Sequence, residues 1–148
     1  MKKDNLRICL VIPHYQNMFS TFYALEIIKE VSKSAIKLDV DLLIETASRM
    51  LEASGILFAD MLGNESMIKT ARAKKIPYLI LNYYSASAKE NCIGIDNEQA
   101  GFKAARYLIQ AGHKQLAVIT GKLSAQAGRQ RLEGFKKAKK GGRVLLSP

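Results

Sequence analysis

The sequence lacks most features that mark secreted, membrane-spanning or disulfide-built proteins. Its 148 residues include no Trp, two Cys and three Pro. No apolar run reaches the roughly 18 residues needed to cross a bilayer. The apolar stretch Ile8–Pro13 is too short for the core of a signal peptide. We therefore expect a cytoplasmic chain without membrane contact, in which Cys9 and Cys92 are reduced and buried in strands.

Motifs of catalysis and of cofactor binding are also missing. Neither glycine-rich phosphate loop, G-x-x-x-x-G-K-[ST] or G-x-G-x-x-G, occurs, and no G-x-S-x-G elbow or Cys/His cluster with metal spacing is found. A catalytic triad would need His14 or His113, the two histidines of the chain. His113 follows Gly112 and is typical of a turn, whereas His14 could line a pocket or face solvent. We expect no enzyme, no cofactor and no metal.

Charge is unevenly distributed along the chain. Residues 98–148 hold 11 of the 23 Lys and Arg but only 2 of the 13 Asp and Glu. Such a basic segment can indicate nucleic-acid binding, or it can mean that acidic complements are missing from the chain. No helix-turn-helix pattern, zinc-finger spacing or aromatic interleaving accompanies the basic residues, so direct DNA binding is the less favoured interpretation.

Apolar runs and helical periodicities alternate along the chain. This predicts an α/β fold: a doubly wound parallel sheet with helices on both faces, whose ligands bind at the carboxyl ends of the strands. The predicted strands are Arg7–Pro13, Asp39–Glu45, Gly55–Asp60, Tyr78–Asn82, a short one within 91–97, and 114–121. Four helices are predicted. The apolar face of the first consists of Phe22, Leu25, Ile28, Val31, Ala35 and Leu38, and the others are Asn64–Lys75, Glu98–Ala111 and 127–140.

The connection between the second and third strands is unexpectedly short. Residues 46–54 separate them, whereas a parallel crossover usually takes a dozen residues or more. Either this connection is unusual or residues are absent from the sequence.

Two groups of polar residues are candidates for ligand binding. Tyr15, Asn17 and Phe19 follow the first strand and pair aromatic faces with amide groups, as sugar sites do, although Phe19 could equally belong to the core of the next helix. Asp96 ends a strand and could bind ligand hydroxyls, cap the next helix, or share these roles with Asn97.

Arg129 and Arg131 lie two residues apart. On a helix they point about 200° apart, so one can face a cleft while the other is solvated. An arginine at that place would bind hydroxyls or a carboxylate with two parallel donors.

Short motifs in a fixed order carry a resemblance to a known family. They are Asp96-Asn97, Gly101, Leu108-Ile109 with Gly112-His113, Leu116–Gly121, and Arg129-Gln130-Arg131 with Gly134-Phe135. Over residues 5–140 the chain resembles the effector-binding domain of lactose-repressor-type (LacI/GalR) transcription regulators. Residues 17–20 stand where the family has Asn-Pro-Phe-Phe, with Met18 replacing Pro and Ser20 replacing the second aromatic residue.

The resemblance implies a periplasmic-binding-protein-like fold of two lobes, with a small effector such as a sugar between them. By position, Phe19 and Ser20 in the first loop, Asp96 and Arg131 would bind the effector, with Asn82 a weaker candidate. Regulators of this family act as dimers and bind DNA through a helix-turn-helix headpiece that this chain does not contain. A solute-binding protein of a sugar transporter and a non-binding flavodoxin-like fragment are the alternatives.

The same resemblance divides the chain. Residues 5–96 correspond to the first lobe, 97–140 to the start of the second, and 141–148 to the C-terminal strand of the family. The family's second lobe is much longer, so we expect a truncated domain or one with missing internal segments.

Overall fold

The apolar runs of the sequence form parallel strands. A computed structural model describes residues 6–13, 22–45, 53–85, 91–138 and 144–146, and the chain divides into two units, Met1–Gly94 and Ile95–Pro148. The strands of the first unit are β1 (Arg7–Val11), β2 (Asp41–Glu45), β3 (Gly55–Phe58), β4 (Tyr78–Leu81) and β5 (Cys92–Ile93). They form one sheet in the order β2-β1-β3-β4-β5, and every neighbouring pair is parallel.

Helices cover both faces of this sheet, as the alternating pattern predicts. Helix α1 (Phe22–Leu38) follows β1 and helix α2 (Glu65–Ala73) follows β3. Because successive strand residues point to opposite faces, β1 contributes to two cores. Cys9 and Val11 pack with Met67, Ile68 and Ala71 of α2, whereas Leu10 and Ile12 pack with Ala24, Ile27, Ile28 and Val31 of α1.

The buried face of α1 differs from the predicted one. Ala24 and Ala35 are buried, and Ile27 joins the predicted Ile28 and Val31 against the sheet. Phe22, Leu25 and Leu38 were wrongly predicted to be in the core: 80% of Phe22 is exposed, and the other two are also exposed. Phe22 and Leu25 lie in the first turns of the helix, and Leu38 is its last residue.

Both cysteines are free thiols, as expected. Cys9 is buried, and burial raises the pKa of its thiol, with a further contribution from the charge of Glu45. Cys92 is only half-buried in β5, because this two-residue strand is the last in the sheet order.

The short connection lies mostly outside the described residues, which resume at Ala53. Strands β2 and β3 pair on opposite sides of β1. Whether this connection is unusual or has lost residues stays a prediction.

The second unit contains two helices that pack closely on each other. Its elements are α3 (Asn97–Gln110), β6 (Leu116–Val118), α4 (Gln126–Ala138) and β7 (Val144–Leu146), and β6 pairs with β7 in parallel. Ala105, Leu116, Phe135 and Ala138 form the core, with Phe102, Leu108, Ile109 and Val118 packed against it. One face of α3 therefore packs against α4 and β6.

Glycines set the spacing of these two helices. A Cβ on Gly101 would strike the carbonyl oxygen of Arg131, and a Cβ on Gly134 would strike that of Glu98. The backbones approach each other more closely than any larger residue allows. An ion pair between Lys137 Nζ and Glu98 Oε1, at 2.5 Å, joins the same two helices at their surface.

Candidate functional site

The sequence predicts binding residues in the loop after β1. Asn17, Phe19 and Ser20, together with Tyr15 and His14, lie within 14–21, outside the described residues. Their roles stay predictions. The other predicted residues divide between the units: Asn82 in the first, and Asp96 and Arg131 in the second.

Asn82 lies directly after β4, at the carboxyl edge of the parallel sheet. Its φ is 55°, a left-handed conformation that Asn adopts more readily than most residues. Its side-chain Nδ2 donates a hydrogen bond to Asp60 Oδ2 at 3.0 Å. The Nδ2 group of Asn82 is therefore bound to Asp60. The amide oxygen faces away from Asp60 and can accept a hydrogen bond from another group.

Asp60 is the residue that the sequence interpretation missed. It follows β3, the strand beside β4 in the sheet, and its Oδ1 accepts a hydrogen bond from the Leu62 N–H at 3.1 Å. The side chain of the buried Asn64, the residue before α2, donates to the Asp60 carbonyl at 2.9 Å and makes no cap bond to the helix, so it holds the loop after β3 in place. The sequence did contain a signal for Asp60. It is an acidic residue at the end of an apolar strand, and the same pattern singled out Asp96.

Burial controls the electrostatics of this cluster. Desolvation raises the pKa of the Asp60 carboxyl, although hydrogen bonds from Leu62 and Asn82 act in the opposite direction. Burial and then the charge of Asp60 raise the pKa of Tyr23, in the first turns of α1, to about 12. The hydroxyl of Tyr23 therefore stays protonated well above neutral pH. Tyr23, Asp60 and Asn82 together offer both donors and acceptors, as a polyhydroxylated ligand requires.

The position of this cluster agrees with a general rule for parallel sheets. Ligands bind outside the carboxyl ends of strands, at the point where the strand order reverses. In the order β2-β1-β3, that point lies between β1 and β3. Asp60 follows β3, and Tyr23 is on the helix that follows β1. The carboxyl-edge cluster, Tyr23, Asp60 and Asn82, therefore lies where the rule places a ligand.

In the second unit, Asp96 caps α3. Its Oδ1 accepts a hydrogen bond from the Gln99 N–H at 2.9 Å, and the residue is exposed. The capping role left open by the sequence is confirmed, while ligand binding by the second carboxylate oxygen stays a prediction. Asn97 is buried and has a different role, since its Oδ1 accepts a hydrogen bond from Arg131 Nε at 2.7 Å.

The two arginines of α4 serve different partners. Arg131 bonds to Asn97 at the start of α3. Arg129 is not simply solvated, as the sequence allowed: its Nη1 donates to the carbonyl oxygens of Leu123 and Ser124, at 3.1 and 2.8 Å. Arg129 thereby orders the loop that connects β6 to α4, while Arg131 keeps donors for another partner.

The remaining histidine is part of a turn. Gly112 has a φ of 90°, and the backbone N–H of His113 donates to the carbonyl of Leu108 at 3.1 Å, which ends α3. Within the described ranges, no group of three or more His, Cys, Asp or Glu side chains could hold a metal ion. No helix in that part of the chain is long and apolar enough to span a membrane.

Comparison with known proteins identifies the family. The family model described as periplasmic binding proteins and sugar binding domain of LacI family matches residues 5–144. The chain belongs to this family. The family resemblance inferred from the order of the sequence motifs is thereby confirmed, as is the parallel α/β fold of the periplasmic-binding-protein type.

Curated relatives of the LacI family are transcriptional repressors by name. The chain is 39% identical over 66 residues to the HTH-type transcriptional repressor PurR of Escherichia coli, covering 44% of this chain and 19% of the repressor. To the repressor of the same name from Vibrio vulnificus it is 32% identical over 72 residues, covering 49% and 22%. These matches thus span about a fifth of the length of each relative.

Solved structures of both regulators and binding proteins share the fold. The transcriptional repressor ascG of Escherichia coli superposes with a TM-score of 0.75 at 20% identity, covering 97% of this chain and 59% of the repressor. A periplasmic solute binding protein of an ABC transporter from Actinobacillus succinogenes, with bound D-allose, gives 0.74 at 22%, covering 97% and 58%. At these identities the likeness shows the fold alone.

Proposed function

We propose that this LacI-family chain is the ligand-sensing part of a transcription regulator and binds a small effector, a sugar or related metabolite. The observation that supports this most is the carboxyl-edge cluster, in which Asp60 and Asn82 lie side by side after neighbouring strands. Such groups fit a ligand with several hydroxyls. In the whole protein, effector binding would control operator binding by a dimer through a helix-turn-helix headpiece.

The residues proposed to bind the effector are those predicted from the sequence. Asn82 contributes an amide oxygen, and Asp96 and Arg131 contribute a carboxylate and a guanidinium. Asn17, Phe19 and Ser20 are proposed to supply the aromatic face and further polar groups from the first loop. These assignments rest on the family motif together with the hydrogen bonds seen at Asn82 and Arg131.

A thermal-shift panel tests the proposal. We expect D-ribose, D-glucose or adenosine to raise the melting temperature of the chain, because a ligand that binds only the folded state stabilises it. Asp96→Ala and Arg131→Ala should each abolish the shift. Arg106→Ala is the matched control, since Arg106 is an exposed arginine of α3, and it should leave the shift unchanged.

The double role of Asp96 requires one more variant. Asp96→Ala also removes the cap of α3, at a cost of about 1 kcal/mol. Asp96→Asn keeps a capping oxygen but loses the charge, so it separates capping from ligand binding. A ligand-induced shift that survives in both Asp96→Ala and Arg131→Ala would remove these residues from the site.

Solute capture for a transporter is the second candidate. The D-allose-bound binding protein favours it through a shared fold. The curated matches favour a regulator, because their local identity reaches 39% and they are repressors by name.

A further inference from the structure

Asn97 is a buried amide whose two ends have separate partners. It is 3% exposed. Its Nδ2 donates to the carbonyl oxygen of Ile95 at 3.1 Å, and its Oδ1 accepts from Arg131 Nε at 2.7 Å. The Ile95 carbonyl can only accept, and Nε of a guanidinium can only donate. Together they allow one orientation of the amide, with its oxygen facing Arg131.

The backbone of Arg131 is held against the same helix. Gly101 of α3 lies so close to the Arg131 carbonyl that a Cβ would not fit between them. Three residues along α4, Gly134 lies equally close to Glu98. Both the main chain and the Nε of Arg131 are therefore positioned by the first turns of α3.

The free end of the guanidinium has a defined chemistry. Among the residues that the structure describes, none hydrogen-bonds to Nη1 or Nη2 of Arg131. With Nε engaged, these two terminal groups still present parallel N–H donors in one plane. That geometry matches two neighbouring acceptor oxygens, as in a carboxylate or a pair of adjacent hydroxyls.

We infer that Asn97 is a positioning residue, which orients Arg131 so that its terminal amino groups bind a pair of neighbouring oxygens on the effector. This inference rests on the proposed function, because it concerns the same ligand. It adds a residue that does not touch the ligand, and it defines the ligand group that Arg131 recognises. Held in place beforehand, Arg131 would lose less conformational freedom on binding than a mobile arginine.

The first measurement needs no ligand. Hydrogen exchange at the Arg131 Nε–H is followed by NMR in the full chain, with the exposed Arg106 as internal reference. We expect the Arg131 Nε–H to exchange at least tenfold more slowly than that of Arg106. Asn97→Ala should remove this difference, and Asn97→Asp, which keeps an acceptor oxygen, should retain most of it. An Arg131 Nε–H that exchanges as fast as Arg106 in the unsubstituted chain overturns the inference.

The second measurement separates positioning from a purely structural bond. Dissociation constants for D-glucose and D-glucuronate are measured for the unsubstituted chain, Asn97→Ala, Arg131→Ala and the double variant. Loss of one hydrogen bond to a charged group corresponds to a tenfold or larger weakening. If Asn97 acts through Arg131, the double variant binds no more weakly than Arg131→Ala. Additive losses would show that Asn97 acts independently and would overturn the inference.

Comparison of the two sugars also shows which chemical group of the ligand supplies the pair of oxygens that Arg131 binds. Tighter binding of D-glucuronate that disappears in Arg131→Ala assigns the carboxylate, whereas equal binding of both sugars assigns adjacent hydroxyls. If neither sugar binds while the Arg131 Nε–H is protected, sugar sensing is wrong and the Asn97 bond is only structural. Stability to urea, measured for each variant, identifies any that fails to fold. If Asn97→Ala fails, Asn97→Leu, which has a similar shape but no acceptor oxygen, serves in its place.

Discussion

Tyr23 and Asp60 show how burial changes the chemistry of single side chains. Tyr23 is 48% exposed, yet its pKa is raised to about 12, because partial burial disfavours the charged phenolate and the negative charge of Asp60 adds to this effect. Neither effect is visible in the sequence, where the two residues are far apart.

The ionisation of Tyr23 gives a prediction at this scale. Tyr23 should titrate late, near pH 12, and Asp60→Asn should move its titration towards the ordinary value of 10.0. Absorbance of tyrosinate as a function of pH measures it, and Tyr23→Phe identifies the residue. A late titration unchanged by Asp60→Asn would show that the carboxylate is not responsible.

The same shift determines a dependence of stability on pH. The pKa of Tyr23 is raised on folding, so the stabilisation it contributes is fully present below pH 10.0 and is lost as the pH rises towards about 12. Over this window the unfolded tyrosine loses its proton while the native one keeps it. The free energy of unfolding should therefore decrease less steeply in Tyr23→Phe than in the unsubstituted chain, as urea titrations at several pH values would show.

At the scale of elements, the contact between α3 and α4 is the most specific packing in the second unit. Gly101 and Gly134 face backbone oxygens of the opposite helix. A helical glycine costs about 1 kcal/mol relative to alanine, so the two glycines are explained by close approach and not by helix propensity.

Gly134→Ala tests this contact. Helix propensity alone would make the variant more stable, but the added methyl would meet the Glu98 carbonyl. We expect a net loss of about 1–3 kcal/mol in the free energy of unfolding, from overpacking. The change is measured by urea denaturation. Gly121→Ala is the control, because a Cβ there meets nothing within 4 Å, and its stability should change little. Equal stability of the two variants would contradict the close packing.

At the scale of the whole molecule, large apolar side chains remain uncovered. On α1, Ile36 is 82% exposed, and Phe22, Leu25 and Leu38 are exposed as well. Burial of such a surface by a second copy would stabilise a dimer through the hydrophobic effect.

The proposed dimer can be tested by sedimentation. We expect the chain at micromolar concentration to sediment with about twice its mass of 16.4 kDa, and Ile36→Gln to shift the equilibrium towards monomer. Ile119→Gln is the matched control, since Ile119 of the second unit is 88% exposed. A monomer at all concentrations would contradict the dimer, and an equal effect of both substitutions would exclude α1 as its surface.

Local patterns account for what the sequence predicts well. The apolar runs predicted all six strands from β1 to β6, and Gly112 correctly predicted the end of α3. These features depend on side-chain periodicity and turn chemistry, which act over a few residues. The same patterns misjudged α1, because three- and four-residue spacing fits more than one face of a helix, and only packing against the sheet decides which face is covered.

The sequence by itself determined the chain's family, through the order of its motifs, and its parallel α/β architecture, through the alternation of strands and helices. It also indicated the binding candidates Asn82, Asp96 and Arg131, through strand ends and the family motif. Only the tertiary structure paired Asn82 with Asp60 across 22 residues and Arg131 with Asn97 across 34. It also assigned Asp96 to the helix cap. The physical reason is that a buried polar group must find a partner wherever the fold brings one. That choice depends on which strand ends and helix turns become neighbours, and no local pattern records it.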